Sequence, residues 1–206
     1  MQAESQLFYL PREVRDRIYE FYLAFENTDF EDVLRPRLVY LDVTYSRPLP
    51  PLMLTCKSLY QELSRPVHGH ALMRVENHGW NDRRIGFAVR GVLRFDRLEK
   101  LWLLVATEHP NWNSWLSFFG EVIERARNLE VLVIDWAPRP ENAVGWTKRV
   151  MEKKESEFHD TIATLQGLRL IQVYGNIPLS WKDRLEKTAH VTHYVFRWWR
   201  EPGLDW

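Results

Sequence analysis

A lone cysteine, seven histidines and an arginine-laced aromatic tail are the groups in this 206-residue sequence whose chemistry could do more than pack. Cys56 would act as a nucleophile only as a thiolate, which needs a pKa-lowering environment and a histidine partner. It falls in step with Leu52, Leu59 and Leu63 on one apolar helical face that carries no evident basic neighbour. The expectation is therefore a small buried hydrophobe. The histidines come close only as His68-Gly69-His70 and His190-x-x-His193. Zinc wants three or four ligands, and no Cys pair or His-Glu-x-x-His spacing accompanies either pair, so no metal site is expected. His193 alternates with Val191 and Val195 and should face a sheet surface. There is no Gly-x-Gly-x-x-Gly, no phosphate loop with Gly-Lys-Ser/Thr and no Gly-x-Ser-x-Gly elbow. No catalytic residue and no cofactor is expected, and the chain does not read as an enzyme.

The tail is the second functional candidate. Tyr194, Phe196, Arg197, Trp198, Trp199 and Arg200 interleave rings with guanidiniums, a composition that could stack on nucleobases or grip a peptide. The plainer reading is a final strand whose rings cover a sheet edge and blunt self-association.

Bulk properties narrow the partners. Lys plus Arg equals Asp plus Glu at 28 each, so the basic surplus of a broad nucleic-acid grip is missing. No apolar run approaches the roughly 20 residues that span a bilayer, so no membrane partner is expected. One cysteine allows no internal disulfide, and Met1-Gln2-Ala3-Glu4-Ser5 does not open like a secretory signal. The cytoplasm or nucleus is the expected location. The ten tryptophans are read first as core fillers and only second as a sticky surface.

The elements that position these groups divide at residue 76. In the first part, residues 1–76, Leu10, Val14, Ile18, Phe21 and Phe25 make one apolar stripe and predict a helix over about 11–24, with Pro11 in its first turn. A segment of about 26–50 carries the strand-like run Leu38 to Tyr45 and ends in Pro48, Pro50 and Pro51. A second helix is expected from Leu52 to about Ser64, stopped by Arg65-Pro66, and then a short strand, Ala71–Val75.

In the second part, residues 77–206, a linker Asn77–Asp82 precedes a repeated pattern. Leu98-Glu99-Lys100-Leu101-Trp102-Leu103 matches Leu129 to Ile134 and Leu168 to Val173, apolar at positions one, four and six. The starts at 98, 129 and 168 are 31 and 39 residues apart, a leucine-rich-repeat-like pattern of irregular period without the usual Asn ladder. Helices fill the intervals: one capped by Asn111 or Asn113 and running to Ala126, one over about 141–166, and a shorter one from Ser180. A last strand is expected over about Val191–Trp198. Alternation of strands with helices predicts parallel pairing in a short curved α/β sheet with a concave or edge surface for a partner.

Leu10-Pro11-x-Glu13-Val14-x-x-x-Ile18-Tyr19, followed by Leu54-Thr55-Cys56-Lys57-Ser58-Leu59-Tyr60-Gln61-Glu62 and a short strand, resembles the F-box-like proteins of unknown function abundant in filamentous fungi. Lys57 stands where Arg is usual. The resemblance implies an F-box-like helical head packed on a leucine-rich-repeat-like, mainly parallel α/β body. It also implies that Leu10, Pro11, Val14, Ile18, Cys56 and Leu59 form or support a surface for the Skp-type adaptor of cullin ubiquitin ligases. The insertion between the helices is about 25 residues longer than a compact F-box needs, and it could cover that face. The expected function is a protein-interaction module that recruits an unknown target. A standalone scaffold, and a small-ligand binder or enzyme with a Trp-lined pocket, are the alternatives.

Overall fold

The structure, a computed structural model, describes residues 6–26, 44–78, 82–107, 112–136 and 148–195. After a 3-10 turn over Gln6–Tyr9, the first helix, α1, spans Arg12–Glu26. Pro11 starts it, its carbonyl accepting the N–H groups of Val14 and Arg15 at 3.1 Å each. The second helix does not begin at Leu52. Pro51–Leu54 form a 3-10 turn, the chain extends at Cys56 (φ −159°, ψ 162°), and α2 runs Lys57–His68. Nor does Pro66 stop it. In the last turn a missing N–H removes only one bond, and Gly69 N–H still closes the end on the Arg65 carbonyl at 2.9 Å.

Seven strands among the described residues form one sheet in the order β1-β3-β2-β4-β5-β6-β7. They are β1 (Thr44–Arg47), β2 (His70–His78), β3 (Asp82–Arg90), β4 (Lys100–Thr107), β5 (Val131–Trp136), β6 (Leu170–Gly175) and β7 (His190–Tyr194). The five strands β2, β4, β5, β6 and β7 are mutually parallel, whereas β3 runs antiparallel to β2 and parallel to β1. The protein is therefore α/β, with a mainly parallel sheet. The intervening helices are α3 (Trp112–Arg125), α4 (Lys148–Ala163) and α5 (Leu179–Leu185).

Two expectations are corrected here. The stretch read as the linker Asn77–Asp82 gives Asn77 and His78 to β2 and Asp82 to β3. Those strands form a hairpin in which Ile85, Phe87 and Val89 alternate into the core. The division at residue 76 thus falls inside a strand. The hydrophobic clusters part earlier, near Gly69: Tyr19, Met53, Leu59, Leu63 and Val67 make a small head core, and Ala71 begins the large one. Of the strand read over Leu38–Tyr45, Thr44 and Tyr45 lie in β1 and the rest lies outside the described residues, as do the Asn111 cap, residues 141–147 and the tail beyond Val195.

The large core occupies one face of the sheet. Leu101, Leu103 and Val105 of β4, Leu132, Ile134 and Trp136 of β5, and Ile171 and Val173 of β6 meet Phe119, Phe158 and Trp181 from the three helices. Alternate residues along each strand supply that face, as the strand pleat requires. Ahead of each strand sits the repeat leucine: Leu98, Leu129 and Leu168 are all buried. Between them a carbonyl ladder ties the strand starts together. The Gly69 carbonyl accepts Glu99 and Lys100 N–H at 2.8 and 2.9 Å. The Glu99 carbonyl accepts Glu130 and Val131 N–H at 2.8 and 2.9 Å, and the Glu130 carbonyl accepts Arg169 and Leu170 N–H at 2.8 and 3.2 Å. His190 N–H on the Arg169 carbonyl, at 3.2 Å, ends the series. No helix among the described residues is long and apolar enough to cross a membrane.

Candidate interaction site

Hydrophobicity alone would turn the Leu10–Val14–Ile18–Phe21 stripe of α1 inward. The structure turns it outward. Leu10 is 37% exposed, Val14 43%, Ile18 38% and Phe21 72%. The inward side of α1 is instead built from Arg15, Tyr19 and the half-buried Leu23, which meet α2 and the proline turn.

The cause is one carboxylate. Arg15 donates to both oxygens of Glu62, Nε to Oε2 at 3.0 Å and Nη2 to Oε1 at 2.7 Å. The Tyr19 hydroxyl donates to Oε2 at 2.7 Å, and the Arg12 guanidinium comes within 3.3 Å of Oε1. A forked guanidinium–carboxylate pair fixes orientation as well as distance. Arg15 hydrogen bonding, and Tyr19 after it, hold the Glu62 carboxyl below the usual range, while burial, followed by Glu62, pushes the Tyr19 phenol up to about 12. Tyr22 adds a second tie by accepting Leu52 N–H at 3.3 Å. With α1 clamped by this polar side, the residues at i, i+4 and i+7 on its other side have no place to go but the surface.

The six residues that the sequence assigns to a docking surface separate accordingly. Leu10, Pro11, Val14 and Ile18 are exposed on or beside α1. Leu59 is buried in the head core and can only support that surface. Cys56, expected to be buried, is exposed: it precedes α2 instead of sitting within a helix, so the periodicity that aligned it with Leu59 and Leu63 does not apply. Phe21, and Leu54 at 68% exposure, are apolar surface residues outside the sequence-derived set. Phe21 was legible as a member of the stripe.

Of the tail candidates only Tyr194 is described; its ring stacks on Tyr174 at 4.9 Å and 19°, across the β6–β7 pair. Phe196, Arg197, Trp198, Trp199 and Arg200 lie outside the described residues. His193 is exposed on β7 with Nε2 2.9 Å from the Gly175 carbonyl oxygen. No group of three or more His, Cys, Asp or Glu among the described residues is placed to hold a metal ion.

The tryptophans with described side chains serve mainly as core. Trp136 and Trp181 rings lie 4.7 Å apart, and Phe158 sits 5.7 Å from Trp115 and 5.6 Å from Trp181. These rings fill one another's space instead of lining a cleft. His159 is the polar member of the group, buried edge-on to Trp181 at 5.1 Å, and neither ring nitrogen has a hydrogen-bond partner among the described residues. Burial, with the Arg184 charge adding to it and Asp160 opposing, pushes its pKa down to about 4.

A neutral His159 makes the body acid-sensitive. The folded pKa lies below the ordinary 6.5, so the unfolded chain takes up the proton first. The stability it confers is intact above pH 6.5 and is lost progressively as pH falls towards 4. The expected loss is up to about 3 kcal/mol, at 1.36 kcal/mol per unit. Urea melts of the wild type and His159→Phe at neutral and acid pH check this: the variant should lose less stability on acidification. Equal losses would disprove it.

Compared with known proteins, the chain matches no family model, no curated protein and no solved structure.

Proposed function

We propose that this chain is a protein-interaction module in which the outward face of α1 docks an Skp-type adaptor of a cullin ubiquitin ligase and the α/β body presents a surface to a target. The observation that carries the reading is the exposure of Leu10, Val14, Ile18 and Phe21 along one side of a helix whose other side is clamped through Glu62. Exposed apolar side chains in register are what a helical docking face requires, and scattered single ones are not. The order of the motifs, Leu10-Pro11-x-Glu13 before Thr55-Cys56-Lys57, supplies the class of partner by resemblance.

The test is a titration of the purified chain with the Skp-type adaptor, beside an Ile18→Asp variant whose fold is checked by circular dichroism. A buried carboxylate placed in an apolar interface should weaken binding by at least about tenfold, the equivalent of about 1.4 kcal/mol. The Ile18 side chain is partly solvated in the free protein, so the variant should keep its helical signal. A folded variant that binds as well as the wild type would sink the assignment of this face. A wild type that ignores the adaptor would favour the standalone scaffold instead.

A further inference from the structure

The surface of the body holds a second feature that neither the head motif nor the aromatic core uses. At the start of the parallel strands, where the carbonyl ladder runs, a groove of about 850 Å³ crosses from the end of α2 to the loop before β6. The ladder residues Gly69, Glu99, Glu130 and Arg169 all line it. Its walls are charged. Arg65 pairs with Glu99 at 2.7 Å and approaches Glu130 at 4.0 Å, and Arg169 lies 3.9 Å from Glu130. Those two arginines and two glutamates neutralise each other.

Arg97 and Arg127 are left. Both line the groove, both are exposed, and neither has an ion-pair partner among the described residues. The backbone beneath them is tied down, because Asn128 Nδ2 donates to the Asp96 carbonyl at 2.6 Å and so fastens the turn bearing Arg97 to the loop bearing Arg127. The Asp96 carboxylate is the one uncompensated negative group in the wall. The two guanidiniums therefore stand one repeat apart, on segments held in fixed relation, without a counter-charge of their own. A stretch of phosphate groups would offer no donor to the Asp96 carboxylate, whereas a peptide N–H supplies one. A single small anion would leave most of the volume empty. An extended peptide running across the strand starts suits the site better. Its side chains on one side recur every ~6.6 Å, against a strand spacing of ~4.8 Å that long arginine side chains can bridge.

We propose that this groove receives an extended acidic segment of a target protein, with Arg97 and Arg127 each pairing with a carboxylate at alternate positions and Asp96 accepting a backbone N–H. The inference specifies the target-binding half of the function proposed above, and it stands apart from the adaptor-docking half. The groove is the surface that gives the body a chemistry of recognition, charge-assisted and geometrically fixed.

Fluorescence anisotropy with a fluorescein-labelled peptide of alternating Glu and Ser, titrated with the full chain, tests it. Saturable binding is expected, weakened by added salt and absent for an alternating Lys and Ser peptide. Arg97→Glu/Arg127→Glu should reduce affinity by at least about tenfold, as the loss of two charge-assisted pairs implies. Lys153→Glu/Lys182→Glu, an equal change of charge on α4 and α5, should leave it unchanged. No saturable binding by the wild type, or equal weakening by both double variants, would overturn the proposal. Ile18→Asp separates the two surfaces. If it abolishes adaptor binding and spares the peptide, the groove is a distinct site; if it weakens the peptide equally, the groove assignment falls. Failure of the peptide beside intact adaptor binding would reject the groove and leave the docking face standing.

Discussion

Trp181→Ala is expected to cost about 3–5 kcal/mol, the range for emptying a fully buried aromatic site. The position has no slack. Trp181 is completely buried, with Trp136, Phe158 and His159 rings at 4.7, 5.6 and 5.1 Å. It is also one of only two buried residues, with Leu185, on the seven-residue helix α5. So short a helix has little stability of its own and exists because its anchors dock. Removing the larger anchor should loosen α5 and the adjoining β7 together. The checks are the urea midpoint, for the size of the loss, and hydrogen exchange, for its location. A loss below about 1 kcal/mol would mean that the neighbouring rings refill the space and that the cluster is not a rigid unit.

The second large effect is expected at Gly175, the last residue of β6. Its φ of +97° lies where an L side chain is strained, and a Cβ built there would run into the carbonyl oxygen of Trp136, its cross-strand partner. Gly175→Val should therefore cost roughly 3 kcal/mol, from backbone strain and from pushing β5 and β6 apart. Gly120 is the contrast within the same molecule. It lies inside α3, and a Cβ there would meet nothing within 4 Å. Gly120→Ala should stabilise by about 0.5–1 kcal/mol, through helix propensity and a less free unfolded chain. Thermal melts of the two variants beside the wild type should move in opposite directions. Movement in the same direction would contradict the geometry described for one of the two positions.

How much of this was legible in the sequence depended on the range of the interaction concerned. Helices α1 and α3 and the strand starts after Leu98, Leu129 and Leu168 follow local periodicity, and positions one, four and six of the three repeats are all buried. Strand β3 was missed although Ile85, Phe87 and Val89 alternate, because the stretch between the linker Asn77–Asp82 and Leu98 received no assignment. For α1 the periodicity gave the stripe of Leu, Val, Ile and Phe but not which way it turns, and the surface expected there rested on the head-motif resemblance alone. The contacts that fix the helix, Tyr19 and Leu23 in the head core and Arg15 on Glu62, reach across 47 residues of chain in the case of the ion pair. Cys56 misled for a local reason: a helical wheel assumes an unbroken helix, and the proline turn breaks it at Thr55-Cys56. The groove was beyond any such reading, because Arg65, Arg97, Arg127 and Arg169 become neighbours only when four successive segments are laid side by side.

The carbonyl ladder has one more consequence, which concerns how such a chain can change. Each strand start is fastened to one carbonyl of the step before, by two hydrogen bonds at Gly69, Glu99 and Glu130 and by one at Arg169, and nothing in that fastening measures the length of chain looped out between the pins. The three crossovers accordingly carry helices of 14, 16 and 7 residues while the register from β4 to β7 advances without a bulge. The uneven 31 and 39 residue spacing in the sequence is thus what a seam of equal stitches and unequal loops looks like when it is written out as a line of letters. Insertions and deletions on the helical side pass unnoticed by the seam, and a chain of this design can drift in length on its outer surface while its inner one stays the same.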